Sequence, residues 1–439
     1  MFDVLTGVVG ACDGVSRRNF VRVGALAAGG WTLADQLRSE AAEGERGRRK
    51  AVIQVWLAGG PSHLDMYDLK PQAPAEFRGE FKEIDTNVSG IRISEHLPLQ
   101  AAIMDKLAIV RSATHTNPGH GMGSQWMLTG WQPTIEINDN IFPSCGSVVS
   151  RLKGANTDGL PAYVNLPNRL GLGKAAYLGA SYNPFSPDSD PNNDYFQVRN
   201  LRLPGRVPTE RLEQRRSLLA DIDGLRRDVD TKGDLVGLDD FYRDAMEMVT
   251  SDVAREAFNI QKEDPRLRDQ YGRNDLGQSC LLARRLVEAG VTYITIQAGG
   301  GWDTHNDNFA QLKNQLLPKY DRAVATLVND LALRGLDRDV LVMTFGEFGR
   351  TPRINPTAGR DHWPGAMSVL FAGGGLRMGQ VVGATDTRAE YPISRPQSPG
   401  CILSTMYHTL GVDYHHEFYD AARRPMPVLN EGRPIDELV

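Results

Sequence analysis

The stretch AVIQVWLAGGPSHLDMYD (51–68) decides which fold to expect. It begins with a continuous apolar run, passes through two glycines, and then presents His63, Asp65 and Asp68. An apolar run without alternating polar positions is typical of a strand buried on both faces of a parallel sheet. The stretch therefore predicts a buried strand whose carboxyl end opens into a loop of ionisable side chains.

Four more runs share this form, and helical segments separate several of them. The runs are LAIVRSAT (107–114), VTYITIQAGG (291–300), DVLVMTFGEFG (339–349) and MSVLFAGGG (367–375). The helical segment 280–290 ends at a glycine cap, and the helical segment 309–336 contains Pro318, where we expect a kink. Alternating strands and helices predict an α/β fold with a doubly wound, mostly parallel sheet covered on both faces.

Two stretches depart from this alternation. Residues 155–205 are rich in Pro, Asp, Asn and Ser, so we expect a loop or an extended cover there. Residues at about 205–275 are highly charged with helical periodicity, which predicts a helical insertion or cap. Because large α/β cores often carry insertions, we interpret 46–439 as a single α/β domain.

The N-terminal segment SRRNFVRVGALAAGGWTLADQL (16–37) has the layout of a twin-arginine export signal. Arg17 and Arg18 precede Phe20 and a weakly apolar stretch of small residues. The alternative is an amphipathic helix with a chance arginine pair. We interpret residues 1–45 as the signal region, which predicts a partner in the twin-arginine export machinery and a location in the periplasm or at the cell exterior.

The composition excludes several classes of protein. The net charge of -5 offers no basic surface for nucleic acid, and no apolar run reaches the roughly 18 residues of a membrane span. The four cysteines lack the spacing of a zinc ribbon or a disulfide framework. We expect no nucleic-acid partner, no integral membrane span in the mature protein, and buried apolar cysteines, with one disulfide bridge left open.

Polar and ionisable side chains follow the ends of four predicted strands. Besides the three after the first strand, they are Thr116 and His120; Asp303, His305 and Asp307; and Glu347, Arg350, Asp361 and His362. Because ligands of open parallel sheets bind beyond the carboxyl ends of the strands, we expect these side chains to converge. Imidazole and carboxylate together suit zinc and its neighbours, and two such ions roughly 3.5–4 Å apart can clamp a displacement at phosphorus or sulfur.

Several of these residues also have a plain structural interpretation. The alternatives are an Asx turn for Asp303 and His305, a cap or a pair with Lys70 for Asp65, a packed loop position for His120, and a surface salt bridge for Arg350. The case for a site therefore depends on all of them falling at strand ends.

Several motifs resemble those of a bacterial family known as domain of unknown function 1501. They are AGGPSHLDMYDLKP (58–71), GEFGRTPRIN (346–355), GRDHWP (359–364) and VLNEGRPIDEL (428–438). The resemblance covers nearly the whole chain after the signal region. It implies a fold of the alkaline phosphatase and sulfatase superfamily, with a metal site at the strand ends.

The resemblance also implies roles for individual residues. TNPGH (116–120) followed by LTG (128–130) is similar to the phosphodiesterase pattern, which makes Thr116 the nucleophile and argues against a sulfatase of the usual kind. His120 and Arg350 are further candidate catalytic residues, Arg350 as a neutraliser of an anionic substrate. The implied metal ligands are Asp303, His305 and His362 for one ion, Asp65 and Glu347 with Thr116 for a second, and Asp361 as a further candidate.

The family pattern is not complete, because Phe348 stands where the superfamily has another histidine. We expect one or two divalent ions, with zinc, manganese, calcium and magnesium all left open. The expected function is an exported metal-dependent hydrolase of phosphate or sulfate esters, acting on an anionic small molecule or glycan ester. The alternative is a non-catalytic scaffold that binds an anionic glycan or a partner protein.

Overall fold

The structure, a computed structural model, describes residues 49–198 and 251–439, and Lys50–Val439 forms one compact unit. The predicted signal region, 1–45, and residues 205–250 of the predicted helical insertion lie outside the described residues. The location of the protein and the bounds of that insertion therefore stay predictions.

Within the described residues the strands form one main sheet and four two-stranded ribbons. In chain order they are β1 (Ala51–Trp56), β2 (Glu83–Asp85), β3 (Arg92–Ser94), β4 (Leu107–Ala113), β5 (Tyr163–Leu166), β6 (Tyr293–Gln297), β7 (Val340–Phe345), β8 (Gly349–Arg350), β9 (His362–Trp363), β10 (Met367–Gly373), β11 (Gln380–Val382), β12 (Ala384–Thr385), β13 (Pro392–Ser394), β14 (Glu417–Tyr419) and β15 (Pro425–Pro427). The main sheet has seven strands in the order β11-β4-β10-β7-β1-β6-β5.

The helices follow the predicted alternation with the strands. In chain order they are α1 (His63–Met66), α2 (Ala75–Arg78), α3 (Pro98–Ala101), α4 (His120–Thr129), α5 (Cys145–Lys153), α6 (Asp252–Ala257), α7 (Pro265–Tyr271), α8 (Asp275–Ala289), α9 (Asn308–Gln311), α10 (Leu317–Leu333) and α11 (Pro399–Leu410). α6 and α7 lie in the part of the predicted insertion that the structure describes.

The main sheet is mostly parallel, as the apolar runs predict. β1 pairs in parallel with β6 and β7, and β5 and β11 join in parallel at the two edges. β10 runs antiparallel to both of its neighbours, β4 and β7. β5 lies inside the stretch 155–205 that we expected to be a loop, because the short apolar segment Tyr163–Leu166 pairs along β6. The fold is a mixed α/β architecture.

Successive residues of β1 enter two separate cores. Ile53 and Val55 belong to the core that contains α8 and α10, whereas Val52 and Trp56 belong to the core that contains α5 and α11. These four side chains are all 2% exposed or less. Burial on both faces explains why the run 51–56 lacks polar alternation.

Caps and breaks in the helices sit where the sequence places them. The side chain of Asn274 accepts from the backbone N–H of Gly277 at the start of α8, and Gly290 ends that helix with φ of 125°. The helical turns run from Asn308 to Leu333, and a π turn (Leu312–Leu316) interrupts the α-helical pattern just before Pro318. Proline has no N–H to continue the hydrogen-bond ladder, and a π turn is where a helix departs from regular geometry, at the position where the sequence predicts a kink.

The described cysteines are free thiols, so none of them forms the bridge left open above. Cys145 and Cys280 are buried, and burial raises the pKa of the Cys145 thiol to about 11. No helix in the described ranges is long and apolar enough to cross a membrane.

Candidate metal centre

The candidate site lies beyond the carboxyl ends of the adjacent strands β7, β1 and β6. The loop after β6 carries Asp303 and His305, the loop after β7 carries Glu347, and α4 begins at His120. The loop after β1 contributes Gly59, where a Cβ atom would lie 2.4 Å from the backbone nitrogen of Asp303 and where φ is 117°. Only glycine permits this approach, so the Gly pair of the opening motif brings two loops together.

Asp303 is the centre of the cluster. Its Oδ1 lies 3.1 Å from Nε2 of His305 and 3.1 Å from Nε2 of His362. Its Oδ2 lies 3.3 Å from Nε2 of His120. One ligand atom each from His120, Asp303 and His362 lie within 4.8 Å of one another. The three imidazoles therefore present the same ring nitrogen to one carboxylate.

The opposite nitrogen of each imidazole faces an acceptor. Nδ1 of His120 lies 2.6 Å from Oε1 of Glu347, and Nδ1 of His305 lies 2.7 Å from Oδ1 of Asp361. Nδ1 of His362 lies 2.9 Å from the carbonyl oxygen of Pro118. Because carboxylates and carbonyls only accept, we assign the ring proton of each neutral histidine to Nδ1. Each neutral ring then points a lone pair at Asp303.

In this arrangement, ring nitrogens without a proton face each other and face a carboxylate oxygen. Nε2 of His305 and Nε2 of His362 are 3.0 Å apart, and both face the same oxygen of Asp303. Ligand atoms about 2.0–2.1 Å from a tetrahedral Zn²⁺ are about 3.3 Å apart, close to these separations. Histidines that bind metal also donate their other ring N–H to a carboxylate or a backbone carbonyl, as these do. The donor set therefore fits a divalent cation.

The electrostatics of the cluster favour the ligand form of Asp303 and His362, but not that of His120. Burial opposes ionisation of Asp303, but the hydrogen bond and charge of Arg350 outweigh it and lower the pKa of this carboxyl to about 2. Burial lowers the pKa of His362. The hydrogen bond to Glu347 raises the pKa of His120. At neutral pH the cluster combines an ionised Asp303 with a His362 that favours its neutral form.

Glu347 is a buried carboxylate with one free oxygen. It is only 2% exposed, and its Oε1 accepts from the backbone N–H of Gly59 at 2.8 Å and faces His120. Its Oε2 has no hydrogen-bond partner among the described residues. A buried carboxylate oxygen without a donor is costly, and a cation would satisfy it.

Arg350 does not have the role expected from the sequence. It is fully buried, and its guanidinium donates to the carbonyl oxygens of Gly60 and Arg360 at 2.8 and 3.0 Å and to Oδ1 of Asp303 at 2.5 Å. Neither a substrate-facing cation nor a surface salt bridge is compatible with these contacts. Arg350 instead fixes the Asp303 carboxylate and the backbone of neighbouring loops.

Asp65 is also corrected, because its oxygens are already engaged. Its carboxylate accepts from Arg360 at 2.8 and 3.1 Å, from the Ser62 hydroxyl at 2.6 Å and from the Asn308 amide at 2.8 Å. The side chain is fully buried, and Lys70, the alternative partner, pairs with Asp68. The buried Arg360 guanidinium already balances the carboxylate charge, so this side chain needs no cation and acts as a structural residue.

The loop between β4 and α4 reaches over the cluster and contains Thr116, which is exposed. Two contacts fix this loop: Nε2 of His115 lies 2.6 Å from the carbonyl oxygen of Glu347, and the carbonyl oxygen of Pro118 faces His362. The role of Thr116 as a nucleophile stays a prediction. His115 was missed by the sequence analysis, although it directly precedes the motif that contains Thr116.

Phe348, which stands where the resemblance implied a histidine, lies behind the imidazoles. It is fully buried, and its ring centroid is 4.5 Å from that of His362 and 5.1 Å from that of His120. The ring also fills the space beside Gly60, where a Cβ atom would lie 2.5 Å from it. Phe348 therefore forms an apolar wall that orients two candidate ligands.

The family described as "Protein of unknown function (DUF1501)" matches residues 49–439. No curated protein matches the chain.

Similar solved structures include a sulfatase, a lipoteichoic acid synthase and Ps i-CgsB, each 12% identical to this chain. For the PsFucS1 sulfatase from Pseudoalteromonas sp., the match covers 85% of this chain and 70% of that chain, with a TM-score of 0.38. For the lipoteichoic acid synthase LtaP from Listeria monocytogenes, the match covers 84% of this chain and 73% of that chain, with a TM-score of 0.31. For Ps i-CgsB in complex with k-i-k-neocarrahexaose, it covers 83% of this chain and 72% of that chain, with a TM-score of 0.39. At these values the likenesses carry no assignment of activity.

Proposed function

The chain belongs to the DUF1501 family of proteins of unknown function, and we propose that it is an exported, metal-dependent hydrolase of phosphate or sulfate esters. The proposed substrate is an anionic small-molecule or glycan ester, and the proposed fold type is that of alkaline phosphatase. The observation that carries the proposal is the approach of three histidine nitrogens to a single ionised carboxylate.

Two groups of ligands are available for one or two ions. Oδ1 of Asp303 with His305 and His362 would hold one ion, and Oδ2 of Asp303 with His120 would supply ligands for a second, with Glu347 beside them. A divalent cation there supplies positive charge to the ester oxygens as negative charge develops in the transition state. Mixed nitrogen and oxygen donors favour Zn²⁺ or Mn²⁺ over Ca²⁺ or Mg²⁺.

The fixed charges explain why such an activity depends on metal. Asp303, Glu347 and Asp361 bring three carboxylates to the cluster, and the one guanidinium that contacts Asp303, that of Arg350, is buried and engaged. A phosphate or sulfate ester approaching carboxylates is repelled. Bound cations reverse the sign of the local charge, so we expect substrate binding as well as turnover to need metal.

We assign the attack on the ester to Thr116. Its side chain is exposed in the loop that His115 and Pro118 tie to the cluster. Its Oγ1 forms a bond to phosphorus or sulfur as the bond to the alcohol oxygen breaks, and the alcohol leaves with the hydroxyl proton. Water then releases phosphate or sulfate from the threonine and restores its hydroxyl.

Metal content and hydrolysis, measured together, test the proposal. The purified protein is analysed for bound zinc, manganese, calcium and magnesium, and assayed with an aryl phosphate and an aryl sulfate. Asp303→Ala is expected to lose both metal and activity, whereas Asp158→Ala, an exposed aspartate outside the cluster, keeps both. A wild-type protein that binds no metal and hydrolyses neither ester refutes the enzyme and favours the scaffold that binds a glycan or a partner protein.

Export by the twin-arginine route is part of the proposal and rests on Arg17 and Arg18. Replacing both with lysine is expected to keep the protein in the cytoplasm, since the signal depends on the arginine pair. Cell fractionation measures the outcome. A variant that still reaches the periplasm or the medium contradicts this part alone.

A further inference from the structure

We propose that Asp65 is a positioning residue that holds both loops of the metal cluster in register. The inference rests on the proposed function, because it concerns the same cluster. It assigns a task to a carboxylate that binds no metal and to three partners outside the cluster, namely Arg360, Asn308 and Thr304.

The first arm runs from Asp65 to the loop that carries His362. Asp65 forms a bidentate ion pair with Arg360, at 2.8 Å to Nε and 3.1 Å to Nη2, and both side chains are fully buried. Arg360 also donates to the carbonyl oxygens of Phe77 and Thr351 at 2.8 and 3.0 Å. Arg360 directly precedes the cluster residues Asp361 and His362, so the ion pair fixes the backbone from which they project.

The second arm runs from Asp65 to the loop that carries Asp303. The same oxygen that binds Nε of Arg360 accepts from the Asn308 side-chain amide at 2.8 Å. Oδ1 of Asn308 in turn accepts from the Thr304 hydroxyl at 2.6 Å. Thr304 and Asn308 are buried, and Thr304 lies between the cluster residues Asp303 and His305. A single carboxylate oxygen therefore connects to both loops.

The two loops also contact each other directly, which closes a ring of contacts. The backbone N–H of Arg360 donates to the carbonyl oxygen of Thr304 at 3.1 Å. The Asn355 side chain donates to the carbonyl oxygen of His305 at 2.8 Å. Because these contacts hold the two loops from which His305 and His362 project, a shift in them moves ligand atoms that lie only 3.0–3.1 Å apart. Supporting hydrogen bonds of this kind typically alter metal affinity 10–100-fold.

Thr304→Val tests the inference with little change of shape, because valine keeps the volume and removes the hydroxyl. The matched control is Thr292→Val, at the other end of β6. Its hydroxyl is also buried and donates to the carbonyl oxygen of Gly154 at 2.7 Å. The two variants are expected to lose similar thermal stability when measured without metal, since each lacks one buried hydrogen bond.

The decisive measurement is a titration of the metal-free proteins with Zn²⁺ alone. Thr304→Val is expected to bind zinc at least about tenfold more weakly than the wild type, Thr304→Ser to restore the affinity, and Thr292→Val to bind within about twofold of the wild type. Equal zinc affinity in Thr304→Val and the wild type overturns the inference and leaves the proposed function intact. Failure of the wild type itself to bind zinc, or any of Mn²⁺, Ca²⁺ and Mg²⁺, overturns both.

Discussion

Nε2 of His305 and Nε2 of His362 face each other across 3.0 Å, and each ring donates through its other nitrogen to an acceptor. Two neutral imidazoles in this relationship repel each other unless a positive charge lies between them. The relationship comes from two loops that are 57 residues apart in the chain.

Metal is therefore expected to stabilise the folded protein. A ligand at a hundred times its dissociation constant adds about 2.7 kcal/mol to the free energy of unfolding. The measurement is the melting temperature with Zn²⁺ and with a chelator. His362→Ala is expected to abolish the difference, and His408→Ala, an exposed histidine on α11, to preserve it. A chelator without effect on the wild type contradicts the prediction.

Thr116→Ala is expected to lower kcat by at least about a thousandfold, because removing a nucleophile removes the covalent route. Thr116→Ser, which keeps a hydroxyl, is expected to retain measurable turnover. Both variants should bind metal like the wild type, because in the described residues no hydrogen bond joins Thr116 to the cluster histidines. Thr387→Ala, another exposed threonine, serves as the control. Unchanged kcat in Thr116→Ala would move the nucleophile elsewhere.

Gly359→Ala is expected to weaken metal binding without touching a ligand. A Cβ atom at this position would lie 1.8 Å from the carbonyl oxygen of His305, so the loop that carries His305 must move. The added methyl should also cost about 1–3 kcal/mol of stability. Gly171→Ala, where nothing lies within 4 Å of the new Cβ, is the control for both measurements. If Gly359→Ala binds zinc as tightly as the wild type, the loop accommodates the added methyl without moving His305, and the prediction is wrong.

Arg284→Ala is expected to destabilise the fold by about 1.5–3 kcal/mol, measured by urea unfolding. This arginine on α8 is 2% exposed and lies 2.9 Å from both Glu263 and Asp330. Each carboxylate loses its buried partner and keeps one other arginine, Arg285 or Arg334. Arg273→Ala breaks an exposed pair with Asp269 and should cost only about 0–1 kcal/mol. If the two variants lose similar free energies of unfolding, burial does not make the Arg284 ion pairs more important than the exposed pair of Arg273.

The stability of the wild type is expected to fall as pH rises from about 4 to about 6 because of Asp321. Burial raises the pKa of this carboxyl to about 6, against backbone hydrogen bonds from Leu99 and Gln100 at 2.9 and 2.8 Å. Between its ordinary pKa and the raised one, the folded state keeps a proton that the unfolded chain has released. The measurement is the free energy of unfolding across this pH range. Asp321→Asn should remove the part of the decrease that comes from this carboxyl, which is at most about 3 kcal/mol. The exposed substitution Asp158→Asn should leave the dependence unchanged.

The sequence predicted the sheet and most of the cluster because both depend on local signals. Apolar runs without alternation marked β1, β4, β6, β7 and β10, and the residues after several of them converge as expected. β5 was not predicted, because its four residues lie in a Pro- and Asn-rich stretch and become a strand only by pairing with β6. Local pattern carries no information about such a partner.

The errors in the site have a different cause. Asp65 and Arg350 have the residue types of functional groups, and both follow strands whose carboxyl ends lie at the cluster. Their roles are decided by Arg360 and by backbone carbonyls that come from distant segments. Which donors surround a buried charge is a property of the folded chain, so residue type and spacing alone did not separate ligand from support.

The reversed direction of β10 has a consequence for how the site can vary. β7 leaves the sheet at the edge where the cluster lies, and antiparallel β10 enters from that same edge. The connection 346–366 contains β8 and β9 and needs no crossover helix. Residues in it that build the cluster and its support include Glu347, Phe348, Arg350, Arg360, Asp361 and His362. The chain leaves the sheet and returns to it at the same edge, so a change confined to this connection would reshape the site without altering the strand order beneath it.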